Sequence, residues 1–240
     1  EKKALVNVSL KLNDGDFCTV IGGNGAGKST VMNAVAGVWP VDSGQILIGG
    51  EDVSALPEFR RAAYFGRVFQ DPMTGTAATM GIDENLALAK RRGKKRNLKS
   101  GTSKKEREEY KELLKTLGLG LEDRLTSKVG LLAGGQRQAL TLLMATLVKP
   151  KLLLLDEHTA ALDPKTAEII MQLTDQVVRE KKVTTIMVTH NLRYAVEYGS
   201  RLLMMHEGKV ILDKIGEEKK NVDTEEIMKI FNQISVECGN

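Results

Sequence analysis

The chain has 240 residues, 42% of them hydrophobic, so it can bury a sizeable core as one large domain or as a domain with an inserted subdomain. Its net charge of +4 is local, because residues 90–105 hold nine basic and no acidic side chains; no aromatic residue interleaves them, so a nucleic-acid partner is not expected. No apolar stretch approaches the ~18 residues that span a bilayer, no signal peptide opens the sequence, and the two cysteines have neither disulfide nor zinc spacing. A reducing cytosol is therefore expected, and any membrane connection is expected to come through a partner.

The first elements lead into a glycine-rich loop. Residues 4–12 alternate apolar and polar side chains, which predicts a half-buried antiparallel strand, and a turn at residues 13–16 follows it. Residues 17–21 are apolar and predict a buried strand, and residues 31–38 show a helical pattern. The loop between them therefore joins a strand to a helix.

That loop is GGNGAGKST, which fits the phosphate-binding pattern G-x-x-x-x-G-K-[ST]. Its glycines let several backbone N–H groups point at one phosphate chain, and the following helix adds its positive end. We expect Lys28 to reach the β- and γ-phosphates, Ser29 to bind Mg²⁺ and Thr30 to donate to the α-phosphate. The predicted nucleotide-binding residues of the loop are Gly22, Gly23, Asn24, Gly25, Ala26, Gly27, Lys28, Ser29 and Thr30.

The middle of the chain holds a loop glutamine and a helical region. Residues 44–50 predict a short strand, and Ser54 is expected to cap a brief helix that runs to Arg61. Gln70 follows a strand that ends near Phe69, and Pro72 stops regular structure there. Residues 81–119 are predicted to be helical, interrupted by the basic segment 90–105, which is expected to be a solvated loop that contacts lipid headgroups or a membrane partner rather than nucleic acid.

Three polar motifs follow in the last part of the chain. Gly134 and Gly135 precede an apolar helix predicted over residues 136–148, and they leave its N-terminus open as a second potential anion site. Four leucines, residues 152–155, predict a strand buried on both faces, with Asp156 and Glu157 at its carboxyl end. A helix predicted over residues 164–181 separates it from a second buried strand that ends at His190. A hairpin and a terminal helix over residues 224–236 complete the chain.

These motifs, in this order and spacing, resemble those of the nucleotide-binding subunit of an ATP-binding cassette (ABC) transporter. The resemblance covers nearly the whole chain: GGNGAGKS resembles Walker A, Gln70 the Q-loop, LAGGQ the signature, LLLLDE Walker B, AALD the D-loop and His190 the switch histidine. It implies an α/β P-loop NTPase (RecA-like) fold with a mostly parallel sheet, an antiparallel β subdomain and an inserted helical subdomain. The implied division is a core of residues 1–72 and 150–240 with a helical insert of residues 73–149.

The resemblance also implies a role for each matched residue. Asp156 is expected to hold Mg²⁺ through water and Glu157 to act as general base, while Gln70 completes the metal and water shell and His190 holds the γ-phosphate. Two subunits are expected to pack head to tail as a homodimer. The signature residues of one subunit then close over the ATP of the other, and the implied nucleotide contacts are Gly134, Gly135, Gln136 and the D-loop Asp163.

The sequence departs from the family pattern in two ways that bear on the site, and it has one further variation. Ala133 stands where the family has Ser, whose hydroxyl would donate to the γ-phosphate across the dimer, so weaker dimer closure and slower hydrolysis are expected. The family's adenine-stacking aromatic residue lies ahead of the first residue of this sequence. His158 stands where Pro is commoner and is interpreted as a neutral variation.

The resemblance implies an ATPase that powers solute transport from the cytoplasmic face of the membrane through permease subunits. An importer of small solutes of the amino-acid type, supplied by an extracytoplasmic solute-binding protein, is the favoured interpretation. One alternative is a soluble ABC ATPase that acts on nucleic acid or the ribosome without a membrane partner. A P-loop kinase is a further alternative, but it gives no reason for LAGGQ.

Overall fold

The computed structural model describes residues 3–94 and 102–237. Most of the basic segment predicted as a solvated loop, residues 95–101, therefore lies outside the described residues. Of the helices within the described ranges, none has the combination of length and apolar composition that crossing a membrane requires.

A six-stranded sheet forms the centre of the described structure, in the order β4-β5-β6-β1-β7-β8, and a separate pair, β2 and β3, is antiparallel. Neighbouring strands from β4 to β7 run parallel, and β7 and β8 form the predicted antiparallel hairpin. The mostly parallel α/β fold predicted from the sequence is confirmed. The strands are β1 (Phe17–Gly22), β2 (Leu47–Ile48), β3 (Glu51–Asp52), β4 (Phe65–Val68), β5 (Leu152–Asp156), β6 (Thr185–Val188), β7 (Arg201–His206) and β8 (Lys209–Ile215).

Helices cover the sheet. The described helices are α1 (Lys28–Ala36), α2 (Glu58–Arg61), α3 (Ile82–Lys90), α4 (Lys104–Lys115), α5 (Gly134–Leu147), α6 (Pro164–Lys181), α7 (Leu192–Glu197), α8 (Glu217–Lys220) and α9 (Thr224–Glu237). The consecutive leucines of β5 pack against helices on both faces of the sheet, since successive side chains of a strand point to opposite faces. Leu153 and Leu155 lie in an apolar cluster with residues of α5 and α6, whereas Leu154 lies in a cluster with Met32 of α1. Burial on both faces explains the uninterrupted apolar run.

The predicted helical insert, residues 73–149, contains α3, α4 and α5. Its buried side chains, such as Leu86, Tyr110 and Leu140, belong to the same apolar cluster as Leu153 and Leu155 of β5. The insert therefore packs directly on one face of the central sheet. Its division from residues 1–72 and 150–240 stays a prediction.

Two local predictions are wrong. Residues 4–12 do not form a strand, although Val8, Leu10 and Leu12 do pack inward; alternation reports side-chain burial, whereas a strand also needs a continuous backbone ladder. Ser54 does not cap α2, because its hydroxyl accepts from Ile46 N–H at 2.7 Å and Pro57 is the residue that precedes the helix.

Other predicted boundaries differ from the structure. The strand predicted over residues 44–50 is confined to β2, Leu47–Ile48. The helix predicted to start at residue 136 begins at Gly134, so the two glycines form its first turn instead of preceding it. The helices α7 and α8 had no prediction, since each has fewer than seven residues and too little periodicity to be recognised.

Candidate nucleotide-binding site

The glycine-rich loop turns tightly between β1 and α1 and passes close to β7. At Gly22, a Cβ atom would lie 2.3 Å from the carbonyl oxygen of Met205, so only glycine fits there. Gly27 precedes α1 with φ of 100°, a left-handed conformation that glycine adopts without steric cost. The tip of the loop, Gly23 to Gly25, is exposed, and Ala26 is buried beneath it. The exposed tip leaves the backbone N–H groups and the N-terminus of α1 within reach of an anion.

Lys28 is buried and folds back onto its own loop. Its Nζ donates to the carbonyl oxygens of Gly22 at 2.8 Å and of Gly23 at 3.0 Å. Burial lowers the pKa of Lys28, and the nearby carboxylates of Glu157 and Asp156 partly oppose that shift. Ser29 is exposed and Thr30 half-buried in the next two positions of α1. The ammonium is thus held by the carbonyl groups of its own loop, near enough to the two acidic residues at the end of β5 to be affected by their charge.

The strand register brings the predicted polar residues to one edge of the sheet. Asp156 aligns with Val188 of β6, and Val188 aligns with Val20 of β1, so the carboxyl ends of these three strands lie side by side. Glu157 Oε1 lies 2.7 Å from His190 Nε2. Lys28, Asp156, Glu157 and His190 therefore meet at the edge where open α/β sheets bind ligands.

Glu157 has an unusual backbone conformation. Its φ is 49°, a left-handed conformation that non-glycine residues seldom adopt, while its N–H donates to Val188 O at 3.0 Å and its carbonyl accepts from Ala160 N–H at 2.9 Å. The side chain is largely covered, in contrast to the half-exposed His190. Strained backbone of this kind is held in place by its surroundings and is concentrated at functional sites.

Gln70 and Asp156 emerge from neighbouring strands. Because β4 pairs in parallel with β5, Gln70 leaves the sheet at the same edge as Asp156, and its side chain is exposed. Asp156 also binds a residue that the sequence analysis missed, since Arg67 Nη2 donates to Asp156 Oδ2 at 2.9 Å. A cationic side chain inside the strand FGRV was the available signal for this partner.

The signature residues lie at the N-terminus of α5 and pack against the start of α6. The nearest neighbour of a Cβ atom at Gly135 would be Thr166 Cγ2 at 2.3 Å, and at Gly134 it would be Leu162 Cδ2 at 3.4 Å. The Gln136 side chain is used within the chain: its Oε1 accepts from Ala133 N–H at 3.3 Å and its Nε2 donates to Leu119 O at 3.2 Å. These glycines thus pack on α6 and not on the phosphate loop of the same chain.

The D-loop aspartate caps the next helix. Asp163 Oδ1 accepts from Thr166 N–H at 3.1 Å, and the hydrogen bonds from Thr166 lower the pKa of its carboxyl group. The cap fixes the start of α6, and with it the segment that connects Glu157 to that helix.

Comparison with known proteins agrees with this geometry. The family described as ABC transporter matches residues 5–160. The chain is 48% identical over 225 residues to the tyrosine transport ATP-binding protein of Clostridioides difficile strain R20291, covering 94% of this chain and 89% of that protein. It is 32% identical to the methionine import ATP-binding protein MetN of Clostridium tetani, covering 95% of this chain and 72% of MetN.

Solved structures of ATP-binding cassettes have the same fold. The dimeric post-hydrolysis state of the cassette MJ0796 bound to ADP and Pi has a TM-score of 0.74 and 30% identity, with 88% of this chain and 90% of that chain covered. The ADP conformation of the cassette MJ1267 has a TM-score of 0.76 and 28% identity, with 95% and 92% covered. Together with the phosphate loop and the convergent Lys28, Asp156, Glu157 and His190, these findings establish that the chain belongs to the ABC transporter family, as an ATP-binding and ATP-hydrolysing subunit that powers transport through partner permease subunits.

Proposed function

We propose that this subunit powers the import of an aromatic amino acid, and that it does so from the cytoplasmic face of the membrane. The observation that carries the proposal is the 48% identity to a tyrosine transport ATP-binding protein over 94% of the chain. The similarity to a methionine import protein supports the broader class of amino acids. An extracytoplasmic solute-binding protein would deliver the amino acid to the permease. The alternative of a nucleic-acid or ribosome ATPase is not favoured, since these relatives are transport subunits.

The site residues fit ATP together with Mg²⁺. The predicted metal donors are the hydroxyl of Ser29, the carboxylate of Asp156 and the amide oxygen of Gln70, and hard oxygen donors of this kind suit Mg²⁺. The described residues contain no cluster of three His, Cys, Asp or Glu side chains that could hold a metal alone. Mg²⁺ bound with a nucleotide is typically held by one or two carboxylates and by the phosphates of the substrate. When bound, Mg²⁺ would neutralise charge on the β- and γ-phosphates.

The remaining residues supply positioning and base catalysis. We assign Lys28 and the loop residues 22–30 to the phosphates, Glu157 to the attacking water as general base, and His190 to the γ-phosphate. The contact between Glu157 Oε1 and His190 Nε2, 2.7 Å long, links the base to the residue assigned to the phosphate. Water activation and phosphate binding would thereby be coupled.

The second half of each site would come from another copy of the chain. Gly134, Gly135, Gln136 and Asp163 belong to the N-terminal ends of α5 and α6, which we assign to the ATP bound by the partner subunit. A helix N-terminus attracts anions through its free N–H groups and its dipole. A head-to-tail homodimer would place two such ends over two nucleotides, and the helical insert would pass the closure to the permease.

Transport by the reconstituted complex tests the substrate. The subunit is purified with the membrane proteins that accompany it, and the complex is placed in liposomes. The ATP is enclosed inside the liposomes, where it reaches those complexes whose ATP-binding subunit faces the interior. Uptake of labelled tyrosine, when the solute-binding protein is added outside, is the expected result, with Glu157→Gln as the inactive control. Uptake of a polyamine or a sugar in place of any amino acid would contradict the proposal.

A further inference from the structure

A single guanidinium group connects three elements at the nucleotide end of the sheet. Arg67 lies within β4, and its side chain is 11% exposed. Its Nη2 donates to Asp156 Oδ2 and to Asn33 Oδ1, both at 2.9 Å. The guanidinium carbon also lies 4.7 Å from the centre of the Phe69 ring, in a cation–π contact.

Each of these contacts is made either with a predicted Mg²⁺ ligand or with a residue close to one in the chain. Asp156 is such a ligand. Asn33 lies four residues after Ser29 on α1, which places the two on the same face of that helix. Phe69 directly precedes Gln70. Arg67 is therefore in contact with the carboxylate itself and with the segments that carry the other two ligands.

Stability alone does not explain this arginine. Its Nε is buried and has no hydrogen-bond partner in the described structure, which is unfavourable for a charged group. Replacing a buried ion pair by apolar side chains is often neutral or stabilising, and the neighbouring strand positions are apolar. A role at the site is the better explanation for retaining a cation there.

We propose that Arg67 is a positioning residue that prepares the Mg²⁺ site before the metal arrives. Its bond engages one carboxylate oxygen of Asp156, Oδ2, and leaves Oδ1 available for a metal-bound water. Hydrogen bonds to metal-binding carboxylates orient them, and their loss typically weakens metal affinity about 10- to 100-fold.

The inference rests on the proposed function, in which Asp156 holds Mg²⁺ with Ser29 and Gln70. Two opposite effects are conceivable on removal of Arg67. Loss of orientation weakens metal binding, while loss of a positive charge near the metal strengthens it. We expect orientation to dominate, because the charge of Arg67 is already compensated by Asp156 at 2.9 Å.

The test measures how much Mg²⁺ strengthens nucleotide binding. The dissociation constant of a fluorescent ATP analogue is determined for the full subunit in the Glu157→Gln background, once with MgCl₂ and once with EDTA. For Arg67→Met the ratio of the two constants is expected to fall about tenfold or more, while binding in EDTA stays the same. For Arg67→Gln, which keeps a hydrogen-bond donor without the charge, the ratio is expected to fall less.

The matched control is Arg201, a buried arginine that pairs with Asp213 through bonds of 2.8 and 2.6 Å between β7 and β8. Arg201→Gln should leave the ratio unchanged. Asn33→Ala keeps Arg67 and Asp156 intact, removes one anchor of the guanidinium, and should lower the ratio moderately; it also tests the inference if the Arg67 variants fail to fold.

Two results would overturn the inference. An unchanged ratio in Arg67→Met removes any role at the metal, and if both dissociation constants rise by the same factor Arg67 is a structural residue only. A raised ratio makes Arg67 a competitor of Mg²⁺. A failure of the proposed function is distinguishable, because in that case the parent protein itself, like Asp156→Asn, would show no strengthening by Mg²⁺.

Discussion

Glu157 Oε1 and His190 Nε2 are 2.7 Å apart, although 33 positions of the sequence separate them, because β5 and β6 are parallel neighbours whose carboxyl ends coincide. The contact involves the two side chains assigned to water activation and to the γ-phosphate. It predicts that catalysis can be removed at Glu157 while the site keeps its shape.

Glu157→Gln is expected to lower the ATP turnover rate by roughly 10²- to 10⁴-fold, the contribution typical of a general base, with ATP binding retained. The amide can still accept a hydrogen bond from His190, so the site keeps its shape. Steady-state ATPase assays and equilibrium binding of an ATP analogue measure the two quantities. A variant that hydrolyses ATP at the parent rate would exclude Glu157 as the base.

Gly135→Ala is expected to destabilise the chain by about 1–3 kcal/mol, because the new methyl group would lie 2.3 Å from Thr166 Cγ2. Thr166→Ser removes that methyl carbon and should restore most of the loss in the double variant. Gly134→Ala is the control: the nearest atom lies 3.4 Å from its Cβ position, so its unfolding free energy should not fall. Denaturant unfolding measures all four proteins, and equal losses at both glycines would contradict the packing argument.

Ala133→Ser is expected to act within one chain as well as across a dimer. Ala133 is the residue before α5 and makes no side-chain cap, so a hydroxyl there should stabilise the helix by about 0.5–2 kcal/mol. A hydroxyl should also strengthen ATP-driven dimerisation through a hydrogen bond to a charged group, worth about 1.5–3 kcal/mol.

Ala133→Asp separates these two effects. Aspartate caps a helix as well as serine does, but its charge repels a phosphate. We expect both variants to raise the thermal midpoint and only the serine variant to raise dimerisation and ATPase rate, measured by calorimetry, size-exclusion chromatography with ATP, and phosphate release. Equal ATPase rates and equal dimerisation in the parent and the serine variant would contradict the predicted weakness at this position.

His158 is expected to make the chain less stable in acid. It is buried, its Nε2 lies 3.0 Å from Thr174 Oγ1, and that hydroxyl donates to Ile170 O at 2.7 Å, so the imidazole is the donor of the pair. Burial lowers the pKa of His158 to about 4 from an ordinary value of 6.5. The unfolded chain then binds the proton more readily, so the stability that the neutral ring contributes is present above pH 6.5 and is lost as the pH falls toward 4.

His158→Gln should reduce the fall of the unfolding free energy between pH 6.5 and 4, because it removes the contribution of this ring to the pH dependence. Urea unfolding at several pH values measures the slope. An unchanged slope in His158→Gln would show that the ring is not the source. The sequence analysis interprets His158 as a neutral variation, whereas in the structure its side chain is buried and hydrogen-bonded to Thr174.

Local signals predicted the fold where they were strong. Pro164 and the apolar period after it gave both ends of α6, and the four leucines gave β5, because helix termini and two-sided burial leave direct marks in composition. Ser54 looked like a cap, but its hydroxyl is engaged by Ile46 N–H in the β2–β3 region. Such a competition between partners depends on tertiary packing and is not visible in the sequence.

The motifs also predicted which residues meet at the site, since parallel strands present their carboxyl ends at one edge. The link from Arg67 to Asp156 was missed because the two residues are 89 positions apart and no motif contains the arginine. The predicted contacts of Gly134, Gly135 and Gln136 with a second subunit stay predictions, because they concern a surface that one chain cannot complete.

The inward fold of Lys28 has a consequence for nucleotide exchange. Its ammonium already has two carbonyl ligands, on Gly22 and Gly23, so an arriving phosphate replaces internal ligands at this position and does not fill an empty one. The free energy gained at Lys28 is therefore the difference between its contacts with the phosphate and its contacts with these two carbonyls. When the product leaves after hydrolysis, the ammonium can donate to the same two carbonyls again. Product release then does not leave a buried charge without hydrogen-bond partners.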